Sequence, residues 1–458
     1  MNQTIRMTDN QDLFFSPGDK IRDFASVLKD VQAYISTHYA ALLSAGAGMD
    51  AKEQLKRYIG QYIRENRIAV AGMDQARLID ALHAEMAEFG FLTKYIFGQG
   101  VEEIDVNFWE DVEVQYSDGS IHKLDERFDS PAHAVSVVRR MLHVSGMVLD
   151  NASPAVLGHL SKNIRIATLK DPVVDSDVSV AASIRIVNPQ NMGRGDFISY
   201  DTATGDMLDF LSECLRYSVS MCVAGPTGSG KTTLAGWLLT TIPDSKRIFT
   251  IENGSRELAL VRRDAKGKIR NSVIHTLTRD SENGRQRIDQ TDLLDMALRF
   301  NPDYIVVGEM RGAEADAAQE AARTGIAVVT TIHAMSCQAT YSRMVSLCKR
   351  AVDTSDAILM DYVTEAFPLV VYCKQLENRQ RRVMEIMECE ILPDGTRNFR
   401  PLFQYDVTEN RIENDRFIIN GHHTAVQSIS PSLQRRLIEN GMPREALNRI
   451  LRMGGEAA

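Results

Sequence analysis

The six cysteines, Cys214, Cys222, Cys337, Cys348, Cys373 and Cys389, include no C-x-x-C pair, which argues against a cysteine-built zinc site and fits a reducing compartment. Apart from His333, the histidines show no metal-ligand spacing and stay unassigned. No apolar run approaches the length needed to cross a bilayer, and Met1 to Lys20 lacks the basic-then-apolar layout of a secretory leader, so any membrane association is expected to be peripheral. There is no excess of positive charge. The 52 Lys and Arg against 61 Asp and Glu leave a formal net charge of −9, which disfavours broad nonspecific nucleic-acid affinity, and no direct nucleic-acid partner is expected. Neither an internal repeat nor a low-complexity tract is evident.

What is present is the stretch Ser218 to Thr233, SVSMCVAGPTGSGKTT, where a short apolar run breaks into a glycine-rich turn. Gly225, four residues, then Gly230, Lys231 and Thr232 have the spacing of a phosphate-binding loop. Gly225, Gly228 and Gly230 allow backbone conformations that aim successive N–H groups into one concavity. Lys231 offers a point charge to outer phosphates and Thr232 a hydroxyl to Mg²⁺. The residues from Thr233 to Leu239 begin a helix whose N-terminal dipole faces the anion. Gly225, Pro226, Thr227, Gly228, Ser229, Gly230, Lys231, Thr232 and Thr233 are therefore the expected nucleotide-binding residues. A chance match in a flexible loop is the competing reading, and the strand before and helix after weigh against it.

At 458 residues the chain has length for about three domains. Residues 1–100 read as a helical N-terminal extension: Ile21, Phe24, Leu28, Val31, Ile35 and Leu42 recur at helical spacing, Asp50 and Glu53 suggest a capping box, and a third helix runs from Asp74 to Phe89. Residues 101–187 read as a small α+β domain, opening with the alternating strands IDVNFW, VEVQY and IHKL, followed by a helix from Ser130-Pro131 and strands at Asn163–Leu169 and Val178–Val187. Residues 188–205, with Pro189, Gly193, Gly195 and Gly205, read as a linker. From Met207, helices alternate with buried strands, the mark of a largely parallel, doubly wound α/β sheet spanning residues 206–426. Val261 to Asp289 is a polar stretch, and LVVYCKQ with VMEIMECEI is expected as a β-hairpin appendage. Ser430-Pro431 opens a helical hairpin over 427–458. Glu252, Glu309 and His333 all fall at the carboxyl ends of strands, where nucleotides bind in such sheets.

These residues carry a resemblance. GPTGSGKTT at Gly225, FTIENGSREL at Phe249, NPDYIVVGEMRG at Asn301 and ARTGIAVVTTIHAMS at Ala322 resemble, in order, the Walker A, aspartate, Walker B and histidine boxes of the secretion and pilus-motor ATPases, the superfamily of type II and type IV secretion ATPases and type IV pilus assembly and retraction motors. The likeness covers roughly Val101 to Val371 and implies a RecA-like P-loop NTPase domain preceded by a PAS-like α+β domain. It further implies an ATPase with ATP and Mg²⁺ as ligands, a hexameric ring of identical chains, and work at the inner membrane with secretion or pilus machinery. By the same resemblance, Glu309 polarises the attacking water, Glu252 assists with Mg²⁺ and water, His333 senses the γ-phosphate, and Arg165 and Arg185 close over the nucleotide as arginine fingers. The metal would be held by Thr232, with Glu252 and Glu309 through water. The missing four-cysteine zinc element tilts the likeness toward a type IV secretion or conjugation ATPase or a retraction motor.

Plainer readings remain open at each position. Glu309 pairs with Arg311 instead, Glu252 is structural, since the family's Glu-Asp-Pro is Glu252-Asn253-Gly254 here, and His333 is an ordinary strand-end histidine. Arg165 and Arg185 are solvated strand residues, with Arg285 and Arg287 as rival fingers. The basic run Arg379 to Arg382 is a solvated turn, with acidic lipid headgroups as the alternative partner. The competing functions are a nucleotide-gated scaffold with little hydrolysis and a nucleic-acid translocase.

Overall fold

A computed structural model describes residues 20–24, 26–28, 30–31, 34–35, 49–87, 89–98, 100–116, 120–161, 163–187, 192–279, 287–413 and 416–453. The chain divides into two compact units, Met1–Ile186 and Val187–Ala458.

In the first unit, β1 (Lys20–Arg22) pairs in parallel with β2 (Ile68–Val70). The helix expected from Ile21 therefore starts after a strand, and its expected end at Leu42 lies outside the described residues. Val27, Leu28, Val31 and Ile35 are buried against α1 (Met49–Glu65) and α2 (Gln75–Ala87). Asp50 falls inside the first turn of α1. The expected all-helical extension thus carries a two-stranded sheet, because Arg67 at φ 50 ends the helix and the buried Ile68, Ala69 and Val70 follow.

A short α3 (Thr93–Ile96) leads into β3 (Val101–Phe108), β4 (Asp111–Tyr116), β5 (Ile121–Lys123), β6 (Ala155–Ser161), β7 (Ile164–Lys170) and β8 (Val180–Ile186). They form one antiparallel sheet in the order 5-4-3-8-7-6. Ser130 caps α4 (Pro131–His143) by accepting from the His133 N–H, and the helix buries Val137, Val138 and Met141 in a core with Ile104, Ile166 and Ile184. Strand alternation leaves Glu103, Arg165 and Arg185 on the other face.

The second unit is built on a sheet of nine strands among the described residues, ordered 11-10-12-13-9-14-15-16-17. In chain order it runs α5 (Arg194–Ser199), α6 (Gly205–Arg216), β9 (Met221–Ala224), α7 (Lys231–Thr240), β10 (Arg247–Glu252), β11 (Ser272–Leu277), α8 (Gln290–Arg299), β12 (Tyr304–Met310) and α9 (Glu314–Arg323). There follow β13 (Ala327–Ile332), α10 (Cys337–Cys348), α11 (Asp356–Ala366), β14 (Leu369–Gln375), β15 (Arg381–Ile391), β16 (Arg397–Glu413), β17 (Arg416–Ala425), α12 (Pro431–Glu439) and α13 (Arg444–Met453). Strands β9 to β14 are parallel. Both faces are covered: Met221 and Val223 enter one core, Cys222 and Ala224 the other, which is why these strands read as unbroken apolar runs.

Three expectations change here. LVVYCKQ is no appendage: β14 lies beside the phosphate-loop strand β9, in parallel, and β15 continues the same sheet antiparallel. Its fully apolar start, Leu369 to Val371, belongs to a strand buried on both faces. The linker is only partly irregular, since Arg194–Ser199 is helical and Thr204 caps α6. The polar stretch contains the sheet's edge strand β11, half-buried along its length and therefore without a strong apolar signal. The C-terminal hairpin packs Leu433, Leu437, Leu447 and Ile450 with Met207, Leu208 and Leu211 of α6.

Candidate functional site

Strand β9 ends at Ala224, and the Gly225 N–H donates to the Ile332 carbonyl at 3.2 Å. Gly225 has φ 150, and a Cβ there would lie 2.1 Å from the Cys373 carbonyl oxygen. No other residue lets the chain leave the sheet between β13 and β14 at this point. Gly230, at φ 88, then starts α7 with Lys231 as its first residue. The Pro226 carbonyl accepts from Lys231 Nζ at 2.7 Å and Ser229 Oγ at 2.8 Å, with the Ser229 N–H at 3.4 Å. Lys231 is buried; Thr232 and Thr233 are half-buried, while Pro226, Thr227 and Gly228 are exposed.

Glu309 is aimed by a bulge. Register on β13 moves from Val307↔Thr330 to Met310↔Ile332, so Gly308 and Glu309 together face Thr331, whose hydroxyl donates to the Gly308 carbonyl at 2.7 Å. Such a bulge redirects a side chain that a regular strand would point elsewhere. Glu309 Oε1 lies 2.9 Å from His333 Nε2, and Oε2 accepts from Arg311 Nη2 at 2.6 Å. His333 Nδ1 lies 3.5 Å from Lys231 Nζ. A continuous polar chain thus runs Lys231, His333, Glu309, Arg311. The His333–Glu309 contact is one of ion-pair distance only, and Glu309 Oε1 has no hydrogen-bond partner among the described residues. Burial pushes the Glu309 carboxyl up, but the Arg311 bond and the charges of Arg311, His333 and Lys231 take it below its ordinary value. Burial and the Lys231 charge lower His333 against the pull of Glu309. At neutral pH the chain is therefore cation, neutral imidazole, anion, cation.

Glu252 ends β10 at 3% exposure. Its Oε1 accepts from the N–H groups of Glu257 and Leu258 at 2.6 and 2.9 Å, which fastens the loop that follows. Its Oε2 is buried without a hydrogen-bond partner among the described residues, 3.9 Å from His275 Nδ1. Burial raises the Glu252 carboxyl to about 7 and lowers His275 to about 4. His275 Nδ1 lies 2.9 Å from Thr250 Oγ1.

Arg165 and Arg185 belong to the first unit, where they are direct cross-strand partners. They form the middle of a row in which His159 faces Arg165 and Glu103 faces Arg185. Arg285 lies outside the described residues, and Arg287 is exposed. The basic run is not a uniform solvated turn: Arg379 is exposed, Arg382 is buried, and Arg381 Nε donates to the Gly228 carbonyl at 2.8 Å. Sequence reasoning missed that contact, and with the partners 153 positions apart no local signal marks it. Gln290, whose amide donates to the Glu309 carbonyl at 3.1 Å, was likewise unmarked.

A buried parallel strand that passes through a glycine-built turn into a helix led by lysine defines an α/β protein of the phosphate-loop class. The chain belongs to the type II/IV secretion system protein family, which matches residues 153–443. It is 30% identical over 240 residues to an uncharacterised protein of Methanocaldococcus jannaschii, covering 51% of this chain and 81% of that one. With the type IV secretion system protein VirB11 of Bartonella quintana it shares 30% identity over 178 residues, which is 38% of this chain and 48% of that relative. The chain thus spans about half the length of that relative. The solved structure of the Legionella pneumophila ATPase DotB matches with a TM-score of 0.46 at 17% identity, over 80% of this chain and 87% of that one.

Proposed function

We propose that the protein binds ATP with Mg²⁺ at Gly225 to Thr233 and hydrolyses it, as the ring-forming motor of a type IV secretion, conjugation or pilus system. The observation that carries this reading is the chain from Lys231 through His333 to Glu309, which joins a phosphate-loop lysine to an ionised carboxylate. The residues suit the ligand. Three donors already converge on one oxygen, the Pro226 carbonyl, which stands in for an anionic oxygen. The Thr232 hydroxyl and the unpartnered Glu252 Oε2 are hard oxygen donors of the kind Mg²⁺ takes. Bound there, Mg²⁺ would neutralise phosphate charge, held by Thr232, with Glu252 and Glu309 through water.

Phosphoryl transfer needs cations at the γ-phosphate and one acceptor for a water proton. Lys231 supplies the first and Glu309 the second. Arg311 holds Oε2 of Glu309, while Oε1, 2.9 Å from His333 Nε2, has no hydrogen-bond partner among the described residues and is the oxygen open to a proton. His333 links the charge at Lys231 to Glu309 and so couples the phosphate end of the site to the base. The transition-state role proposed for Arg165 and Arg185 rests on the resemblance alone.

The setting comes from the relatives' names: secretion systems for the family and type IV secretion for VirB11. The proposed partners are further copies of this chain and inner-membrane machinery, and the proposed location is cytoplasmic, peripheral to that membrane. Among the described residues no helix is long and apolar enough to cross a membrane. The pairing of Glu309 with Arg311 favours, as a second reading, a nucleotide-gated scaffold. Titration with MgATP separates them. Saturable phosphate release, with binding lost in Lys231→Ala, supports the motor; tight binding without turnover supports the scaffold; no binding refutes both.

A further inference from the structure

Strand β15 begins with two arginines that face different neighbours. Besides its bond to the Gly228 carbonyl, Arg381 packs its Cδ 3.4 Å from where a Cβ on Gly230 would sit. Its register partner on β14, Gln375, places Oε1 3.5 Å from the corresponding position on Gly228. This end of the β14–β15 pair therefore grips the phosphate loop at two of its three glycines. Arg382 is buried on the other side. Its Nη1 donates to the Tyr200 carbonyl at 2.9 Å and its Nη2 to Gln380 Oε1 at 2.6 Å, with Asp201 Oδ2 at 3.4 Å. The next residue, Val383, donates its N–H to the Thr202 carbonyl at 2.8 Å. Arg382 and Val383 thus pin the start of β15 to residues 200–202, which holds the backbone from which Arg381 reaches the loop.

Building on the nucleotide reading, we propose that Arg381 is a positioning residue for the phosphate loop. In a planar trans peptide the carbonyl of Gly228 and the N–H of Ser229 point in opposite directions. Holding the carbonyl toward Arg381 turns the Ser229 N–H to the loop interior, where it already faces the Pro226 carbonyl. A bond from a charged donor is roughly twice as strong as a neutral one, so the loop is ordered before phosphate arrives and binding does not carry that entropy. Lysine at this position keeps the charge but not the Nε geometry.

The test uses the full-length chain as wild type, Arg381→Ala and Arg381→Lys, with ADP binding measured by calorimetry and melting temperature measured with and without ADP. Arg381→Ala should weaken ADP binding about tenfold, the equivalent of ~1.4 kcal/mol, while its melting temperature without nucleotide stays near wild type. Arg381→Lys should recover part of the loss. Arg382→Ala should instead lower the melting temperature without nucleotide. Equal ADP binding by wild type and Arg381→Ala overturns the positioning role alone, as does a loss of affinity matched by an equal loss of unliganded stability. Absence of ADP binding by wild type overturns the nucleotide reading itself.

Discussion

His333 Nε2 stands 2.9 Å from Glu309 Oε1, and the same ring presents Nδ1 to Lys231 Nζ at 3.5 Å. One neutral imidazole thus spans the lysine of the phosphate loop and the carboxylate of the bulged strand. Replacing it by alanine removes the bridge, together with its contact to the Gly225 backbone. His333→Ala should lower kcat on the order of 10-fold or more with nucleotide affinity within about threefold of wild type. Equal kinetics in the two proteins would assign His333 to structure.

Gly225→Ala tests the loop's exit from the sheet. The new methyl would meet a backbone carbonyl, not a flexible side chain, at 2.1 Å, and overpacking of this kind costs about 1–3 kcal/mol. The melting temperature should fall and nucleotide binding should be lost, whereas an alanine variant that binds ATP normally would contradict the loop geometry.

Glu252 gives a pH dependence of defined sign. Its folded-state value near 7 lies above the ordinary 4.5, so the folded protein holds a proton that the unfolded chain has released. The favourable contribution is complete below about pH 4.5 and lost as pH rises through about 7, with an upper size of ~3 kcal/mol. His275, lowered from 6.5 to about 4 by burial, acts oppositely between those values, so the variant difference is the clean observable. Glu252→Gln keeps an acceptor for the Glu257 and Leu258 N–H groups. Its stability relative to wild type should rise from pH 5 to pH 8, as read by denaturant unfolding; a flat difference would contradict the buried carboxyl.

All six cysteines are free and buried. Burial pushes the thiols of Cys348, Cys373 and Cys389 up to about 12 and raises those of Cys214, Cys222 and Cys337 from their ordinary value too. The native protein at pH 8 should therefore resist a thiol-specific chromogenic reagent and release all six equivalents only on unfolding. Rapid labelling of the native state would show that the sheet core opens.

Much of the site was legible because its chemistry is local in sequence. The glycine turn needs glycine for backbone reasons that hold at any position, and an acidic residue after an apolar strand marks a strand end. What was not legible is what depends on neighbours distant in the chain. LVVYCKQ has the same apolar look whether its hairpin with β15 stands apart or joins the central sheet beside β9, and only the sheet order decides. Nothing in a run of arginines distinguishes Arg381, which reaches the phosphate loop, from Arg382, which is buried. Glu252 was expected near the metal, and the structure gives one of its oxygens to two backbone amides, a use no spacing rule reveals. The bulge that aims Glu309 depends on a register shift with β13, again invisible along one strand.

The most direct measurement is steady-state phosphate release by wild type and Glu309→Gln at saturating MgATP, with nucleotide affinity measured on the same preparations. The account predicts that the amide variant binds ATP about as tightly as wild type and turns it over at least about 100-fold more slowly. Unchanged turnover in Glu309→Gln would contradict it.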